Sequence, residues 1–297
     1  ANPEYVLFKC NKGYTLILLQ VVRFSVYENN RTLRLFILME EVYMSHPKTI
    51  EELNTHKDEA ISNLTKYLET LIASPDPRLR GKADKLSYWI SDWVRFLEYE
   101  PCFSPKSLRR YKHGEIIKVH LGFNIGSEEG GLHYAVVVEK ENAKSSPVVT
   151  VVPLTSVKPT TNISSLHEGN VFLGNELFTS LNSKITSTEK HLSSEAALLR
   201  ELTRCLHQDY SEDKCKEYND KLEKCSLELT SLERMRQEVM KMKQGSIALV
   251  NQITTISKIR IYDPKTDYDI LSNIKLSNEK LDILDSEIRK RYTNFHA

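Results

Sequence analysis

The chain has 297 residues, with 41 Lys and Arg against 40 Asp and Glu, so its formal net charge at pH 7 is +1. This length suits one large domain or two smaller ones, and the balanced charge excludes a global basic field that would draw the protein onto nucleic acid. Five cysteines without a CxxC pair argue against a structural zinc site and favour a reducing, cytoplasmic compartment. No apolar run reaches the roughly 20 residues of a membrane helix, so no membrane contact is expected.

Residues 1–43 differ in character from the rest of the chain. They are apolar and have no clear period of 2 or 3.6 residues. The tripeptide at 40–42, Glu-Glu-Val, can be encoded by a purine-rich tract of the kind that precedes a start codon, and Met44 follows it. We therefore predict that Met44 is the true start and that residues 1–43 are a non-native upstream extension. A genuine β-rich extension is the alternative.

Residues 44–105 predict an N-terminal helical region made of two helices. Thr49 and Glu52 have the spacing of a capping box, and the stretch SPDPRLRG at 74–81 separates the two helices. Apolar residues recur at helical spacing on both: Ile61, Leu64, Leu68 and Leu71, then Leu86, Trp89, Trp93 and Leu97. The aromatic face of the second helix has the chemistry to stack bases, but we expect it to pack in the core.

Residues 106–177 and 244–297 carry β-strand signals. Short β-branched runs alternate with turn residues: GEIIKVHLGF, HYAVVVEK, PVVTVVPLTS, GNVFLG and SIALVNQITTISKIRI. Closely spaced strands of this kind predict a small barrel or a curled sheet. The stretch at 276–292 predicts a final amphipathic helix. These two segments are expected to form one domain.

Residues 178–243 predict an antiparallel helical hairpin inserted into that domain. Apolar residues recur around a break at 207–213: Ile185, Leu192, Leu199 and Leu206 before it, and Tyr218, Leu222, Cys225, Leu229, Leu232 and Val239 after it. We interpret the charges between them as a solvated face. The order of elements therefore predicts an α+β fold.

The loop NIGSEEGGLHYAVVV at 124–138 invites three readings: a phosphate cradle, a metal site or a hairpin connection. It contains neither GxxxxGK[ST] nor GxGxxG, and it joins two strands instead of a strand and a helix. A metal site would use Glu128, Glu129 and His133, but no second histidine has ligand spacing. We therefore expect no metal and interpret the glycines as residues that permit a hairpin.

A second polar stretch, VVPLTSVK at 151–158, ends a predicted strand. It presents Thr155, Ser156 and Lys158 together. Two hydroxyls and an ammonium suit a phosphodiester, because the hydroxyls donate hydrogen bonds and the lysine offsets negative charge. Ordinary turn chemistry at a strand end is the alternative.

Together the two blocks at 114–156 and 245–261 resemble the PemK/MazF family of toxin endoribonucleases, also called mRNA interferases. The likeness lies in the GSExGG loop, the AVVV strand, the strand SPVVTVVPLTS and the segment QITTISKIRI. The resemblance implies a small SH3-like β-barrel that forms a homodimer. It also implies RNA and DNA binding, and metal-independent cleavage of single-stranded RNA by the ribose 2′-hydroxyl without a cofactor. A cognate antitoxin would occupy the RNA groove.

The chain departs from the family pattern just after the glycine loop. The family has a catalytic arginine and a proline there, whereas this chain has His133 and Tyr134. Histidine is charged only when protonated, but it transfers protons near neutral pH. We expect His133 to act as general acid or base, with Thr155 and Ser156 orienting and stabilising the phosphate. The expected RNA-binding residues are Asn124, Ser127, Glu128, Lys158 and Gln252.

Two other functions remain open from the sequence. One is a catalytically weakened barrel that binds RNA or an antitoxin, since His133 replaces the family's arginine. The other is a structural protein that assembles through the coiled hairpin at 178–243.

Overall fold

A computed structural model of the protein describes residues 6–10, 13–17, 48–208, 211–243 and 245–294. The chain divides into two units, residues 1–62 and 63–297. In the first unit, β1 (Val6–Cys10) and β2 (Gly13–Ile17) pair antiparallel. The remainder of segment 1–43, and Met44 itself, lie outside the described residues. The non-native extension therefore stays a prediction.

Two helices occupy the predicted N-terminal helical region: α1 (Ile50–Ile72) and α2 (Pro77–Tyr99). The predicted capping box begins α1, because the Thr49 backbone N–H donates to Glu52 Oε2 at 2.8 Å and the Glu52 N–H donates to Thr49 Oγ1 at 3.2 Å. Asp76 caps α2 by accepting from the Arg78 N–H at 2.8 Å. Local sequence signals therefore fix where both helices begin.

The prediction that Trp93 and Leu97 pack in the core is wrong. Their exposed fractions are 51% and 47%. The face of α2 that packs inward carries Ala83, which is 2% exposed, and the partly buried Trp89, whose ring stacks on His120 with centroids 4.7 Å apart. The packed stripe is narrower than the apolar stripe of the sequence, because only one side of the helix meets another element.

Seven strands form one antiparallel sheet: β3 (Ile116–His120), β4 (Leu132–Val137), β5 (Val148–Ser156), β6 (Asn170–Gly174), β7 (Ser246–Leu249), β8 (Thr254–Ser257) and β9 (Ile261–Asp263). Their order is β6-β7-β5-β4-β3-β9, and β8 also pairs with β5. Mixed helices and antiparallel strands agree with the α+β prediction. Among the described residues the hydrogen-bonded sheet is not closed, and it forms a curled antiparallel sheet.

Both faces of the sheet are buried at its central strands, β4 and β5. The strand β4 shows this through alternation, because Ala135 and Val137 belong to one apolar cluster and Val136 belongs to the other. The first cluster takes residues from β3, β4, β5, β8 and β9, and the second joins the sheet to Leu177 and Leu284 of the flanking helices. Burial on both faces accounts for the near-continuous apolar run in this strand.

Two long helices separate β6 from β7: α3 (Glu176–Gln208) and α4 (Glu212–Lys241). The expectation that Leu222 and Leu229 lie on the inner face of α4 is wrong. Their exposed fractions are 46% and 50%. Lys221 and Glu228 turn towards α3 and pair with polar side chains there, at 3.7 and 3.5 Å. These two charged groups therefore face α3 instead of solvent, whereas others between the apolar positions, such as Lys216, Glu223 and Lys224, are exposed as predicted.

The chain ends on α5 (Asn278–Tyr292), as the sequence predicts. Ser277 caps this helix by accepting from the Lys280 N–H, and Leu281 and Leu284 are buried. Across the ranges given above, none of the five helices combines the length and the apolar character that crossing a membrane requires.

Candidate active-site cleft

A cleft of about 420 Å³ opens where β4 and β5 meet the C-terminal end of α4. Its walls include His133, Thr155 and Ser156, the three residues predicted to be catalytic. His133 lies about 20 positions before the other two in the sequence, and the pairing of β4 with β5 brings them together. The cleft is therefore the first place to look for the predicted chemistry.

His133 lies in β4 opposite Val119 of β3, with its side chain 25% exposed. Its Nδ1 is 3.2 Å from the carbonyl oxygen of Leu154. Because a carbonyl only accepts, Nδ1 donates, and the neutral ring then keeps a free electron pair on Nε2. Nε2 lies 3.5 Å from Glu129 Oε2, so a carboxylate is beside the nitrogen that would take up a proton.

Thr155 and Ser156 end β5, where they pair with Ile247 and Ser246 of β7. Both are partly buried. Within the part of the chain that the structure describes, neither hydroxyl has a hydrogen-bond partner. Two hydroxyls on a rigid strand end are thus available to a ligand in the cleft.

The cleft also holds a cluster that the sequence analysis missed: Lys118, Tyr134 and Glu238. Lys118 and Tyr134 are opposite each other across β3 and β4, and both donate to Glu238 Oε1 of α4. Burial acts to raise the pKa of Glu238, but the hydrogen bonds from Lys118 and Tyr134 outweigh it, and the pKa is lowered. Burial, with the adjacent carboxylate, raises the pKa of Tyr134.

Asn124 and Gln252 brace the glycine loop between β3 and β4. The Asn124 amide donates to the carbonyl oxygen of Glu129 at 2.6 Å. The Gln252 amide donates to the carbonyl oxygen of Ser127 at 3.1 Å and accepts from the Glu129 N–H at 3.3 Å. Both side chains therefore fix the loop that carries Glu129 to His133.

None of the five predicted RNA-binding residues lines the cleft. Asn124, Ser127 and Glu128 are exposed on the glycine loop, and Lys158 is exposed just beyond β5. Their contact with RNA stays a prediction. In the ranges that the structure describes, no three His, Cys, Asp or Glu side chains are grouped so that they could hold a metal ion.

Residues 112–214 match the family model of the PemK-like, MazF-like toxins of type II toxin–antitoxin systems. The predicted resemblance is confirmed over this segment. It contains β3 to β6 and all of the predicted site residues except Gln252, and it stops just inside α4. The second block of the resemblance, at 245–261, lies outside the match, which spans about a third of the chain. No curated protein is similar enough to the chain to count as a match.

Proposed function

We propose that the protein is a toxin-type endoribonuclease of a toxin–antitoxin system that cleaves single-stranded RNA, in particular mRNA, without a metal. The observation that carries this proposal is the cleft that His133 lines together with Thr155 and Ser156, whose hydroxyls have no hydrogen-bond partner among the described residues. The match of residues 112–214 to a toxin family supports the same conclusion.

We propose further that the curled sheet is the SH3-like barrel expected of this family. The strands β8 and β9 are separated only by one 3-10 turn, Lys258–Arg260, and they pair with β5 and β3, the two neighbours of β4. Ile256 of β8 and Ile261 of β9 share one apolar cluster with the inner residues of β3, β4 and β5. A common interior of this kind supports a barrel architecture.

In the proposed reaction, the ribose 2′-oxygen attacks the adjacent phosphorus while the bond from phosphorus to the 5′-oxygen breaks. His133 Nε2 accepts the proton of the 2′-hydroxyl, and the resulting imidazolium supplies a proton to the leaving 5′-oxygen. The products are a 2′,3′-cyclic phosphate and a 5′-hydroxyl. Atoms and charge balance without a metal or a cofactor.

The neighbours of His133 suit this role. The Leu154 carbonyl fixes the ring with Nε2 as the basic nitrogen, and Glu129 stabilises the ring once it is protonated. The hydroxyls of Thr155 and Ser156 donate to the phosphate oxygens. Lys158 adds positive charge at the end of the strand, and the braced glycine loop shapes the RNA groove. This set replaces the permanent charge of the family's arginine with a proton-transfer group.

We also propose the partners that the family implies. A cognate antitoxin would occupy the cleft, and the protein would act in the cytoplasm as a homodimer. Light scattering of the purified chain tests the homodimer directly: a mass near twice 34.3 kDa is expected. A monomer at micromolar concentration would contradict it.

The cleavage proposal is tested with purified protein and single-stranded RNA in EDTA. We expect fragments that end in 2′,3′-cyclic phosphate and begin with 5′-hydroxyl. His133→Ala should abolish cleavage, and the matched control His167→Ala should not, since His167 is exposed and outside the cleft. Cleavage that requires a metal, or full activity in His133→Ala, would overturn the proposal.

A second candidate is a barrel that binds RNA or an antitoxin without cleaving. It is favoured by Glu238, because this carboxylate neutralises Lys118 inside the cleft and leaves less positive charge for a phosphate in the transition state. RNA binding with no cleavage, and no growth arrest on expression, would support it.

A further inference from the structure

The C-terminal end of α4 forms one side of the cleft that holds His133. Glu238, Lys241 and Lys243 all line it, although they belong to the inserted hairpin and lie outside the segment that matches the toxin family. The end of the inserted hairpin therefore contributes side chains to the cleft and affects which ligands can bind there.

The two lysines at this end add positive charge to the cleft. Both are exposed, and neither ammonium forms an ion pair with a carboxylate in the described part of the chain, although the charge of Lys241 acts on Glu238 and helps to lower its pKa. Lys118, by contrast, is already neutralised by Glu238. The positive charge that the cleft offers to a ligand thus comes mainly from Lys241 and Lys243, here called the lysine wall.

The lysine wall is held firmly in place. Glu238 fastens α4 to the sheet, and the exit of the helix is fixed because the Val157 N–H donates to the carbonyl oxygen of Gly245 at 3.1 Å. Gly245 has a φ of +82°, and a Cβ there would lie 2.7 Å from Val157. Only glycine fits this close approach, which places the wall directly beside the end of β5.

Both lysines line the cleft, one on each side of Met242 in the sequence. Lys241 ends α4, and Met242, with φ −72° and ψ 136°, takes the chain out of the helix. Met242 packs against the apolar cluster while the two lysines remain exposed. Two cations on one wall suit a chain of repeated anions better than one isolated charge.

We propose that the lysine wall binds backbone phosphates of single-stranded RNA next to the phosphate that is cleaved. This assignment rests on the proposed function. It gives the inserted hairpin a role in holding the substrate, since two cations beside the hydroxyls of Thr155 and Ser156 extend the cleft into a track for a polyanion.

The test measures binding to the full chain of a 2′-O-methylated single-stranded RNA of mixed sequence. The methyl group blocks the nucleophile, so binding is read without cleavage. Lys241→Ala/Lys243→Ala should weaken binding about tenfold near 0.1 M salt and lower the slope of log K against log salt by about 1.4, since each phosphate contact on a single strand contributes about 0.7. The matched control is Lys216→Ala/Lys224→Ala, which removes the same charge from exposed positions nearer the N-terminus of α4. It should change neither the affinity nor the salt slope.

Each outcome decides the assignment. Parent-like affinity and slope in the Lys241→Ala/Lys243→Ala variant would overturn it. So would an unchanged RNA affinity with weaker binding of poly-L-glutamate, because the wall would then serve an acidic protein. If the parent binds RNA through the lysine wall but does not cleave it, the proposed ribonuclease activity is refuted and the proposed role of the lysine wall is supported. If the parent binds no RNA, both fail.

Discussion

Replacing Glu238 by alanine tests whether the inserted hairpin is fastened to the sheet at the cleft. The side chains of Lys118 and Glu238 are 18% and 20% exposed, so their ion pair is largely shielded from water. Hydrogen bonds to charged groups contribute about 1.5–3 kcal/mol each, and a carboxylate lost here leaves the Lys118 ammonium partly buried without its partner. The hydrogen bonds from Lys118 and Tyr134 share one acceptor, Glu238 Oε1, so their energies do not simply add. We therefore expect Glu238→Ala to lower the free energy of unfolding by about 2–4 kcal/mol.

Glu238→Gln is the matched variant, since it keeps an acceptor and removes the charge. Its expected cost is about 1–2 kcal/mol. Glu201→Ala serves as the surface control, because Glu201 pairs with Arg204 while both side chains are exposed; it should cost less than about 0.5 kcal/mol. Urea unfolding measures all three, and hydrogen exchange at the end of α4 should report the same order.

The pKa of Glu238 predicts how the stability of the protein changes with pH. Its pKa in the folded protein is lowered from the ordinary value of 4.5. As the pH falls below 4.5, the unfolded chain takes up the proton first, so the stability that Glu238 contributes is lost through the folded pKa. The difference between the parent and Glu238→Gln should therefore narrow in that window. Equal stabilities above pH 4.5 for the parent, Glu238→Ala and Glu238→Gln would refute the reasoning.

Three further predictions concern the entrance to β3, the glycine loop and α2. Glu115→Ala should lower the free energy of unfolding by about 2–4 kcal/mol in urea, because the side chains of Glu115 and Arg109 are 5% and 8% exposed and the guanidinium would keep only Asn273 and the exposed Asp267 as partners. Gly130→Ala should destabilise the loop and reduce RNA cleavage, since its Cβ would lie 2.9 Å from the carbonyl oxygen of Gly122. Gly81→Ala, in open space on α2, should instead stabilise the chain by about 0.5–1 kcal/mol.

Features set by neighbouring residues were predictable from the sequence. The capping box of Thr49 and Glu52 depends on side chains three positions apart, and it forms as expected. The strands follow from β-branched runs between turns. The outward positions of Trp93 and Leu229 were not predictable, because an apolar stripe states which residues prefer burial and the fold decides which of them another element covers.

Some residues of the candidate site could likewise be expected from the sequence, and others could not. His133, Thr155 and Ser156, which the family's motifs marked in the sequence, line one cleft, and their catalytic roles stay a prediction. Lys118 and Glu238 were missed, although the alternation of polar and apolar residues in β3 is a weak signal for Lys118. Their contact joins residues 120 positions apart and requires the inserted helix to return to the sheet. No periodicity within one segment encodes that return.

The chemistry of the RNA ends made by the purified chain in EDTA is the sharpest test of the proposed ribonuclease. The parent and His167→Ala should leave 2′,3′-cyclic phosphate and 5′-hydroxyl ends, and His133→Ala should not cleave. Ends of another kind, or unchanged cleavage by His133→Ala, would contradict it.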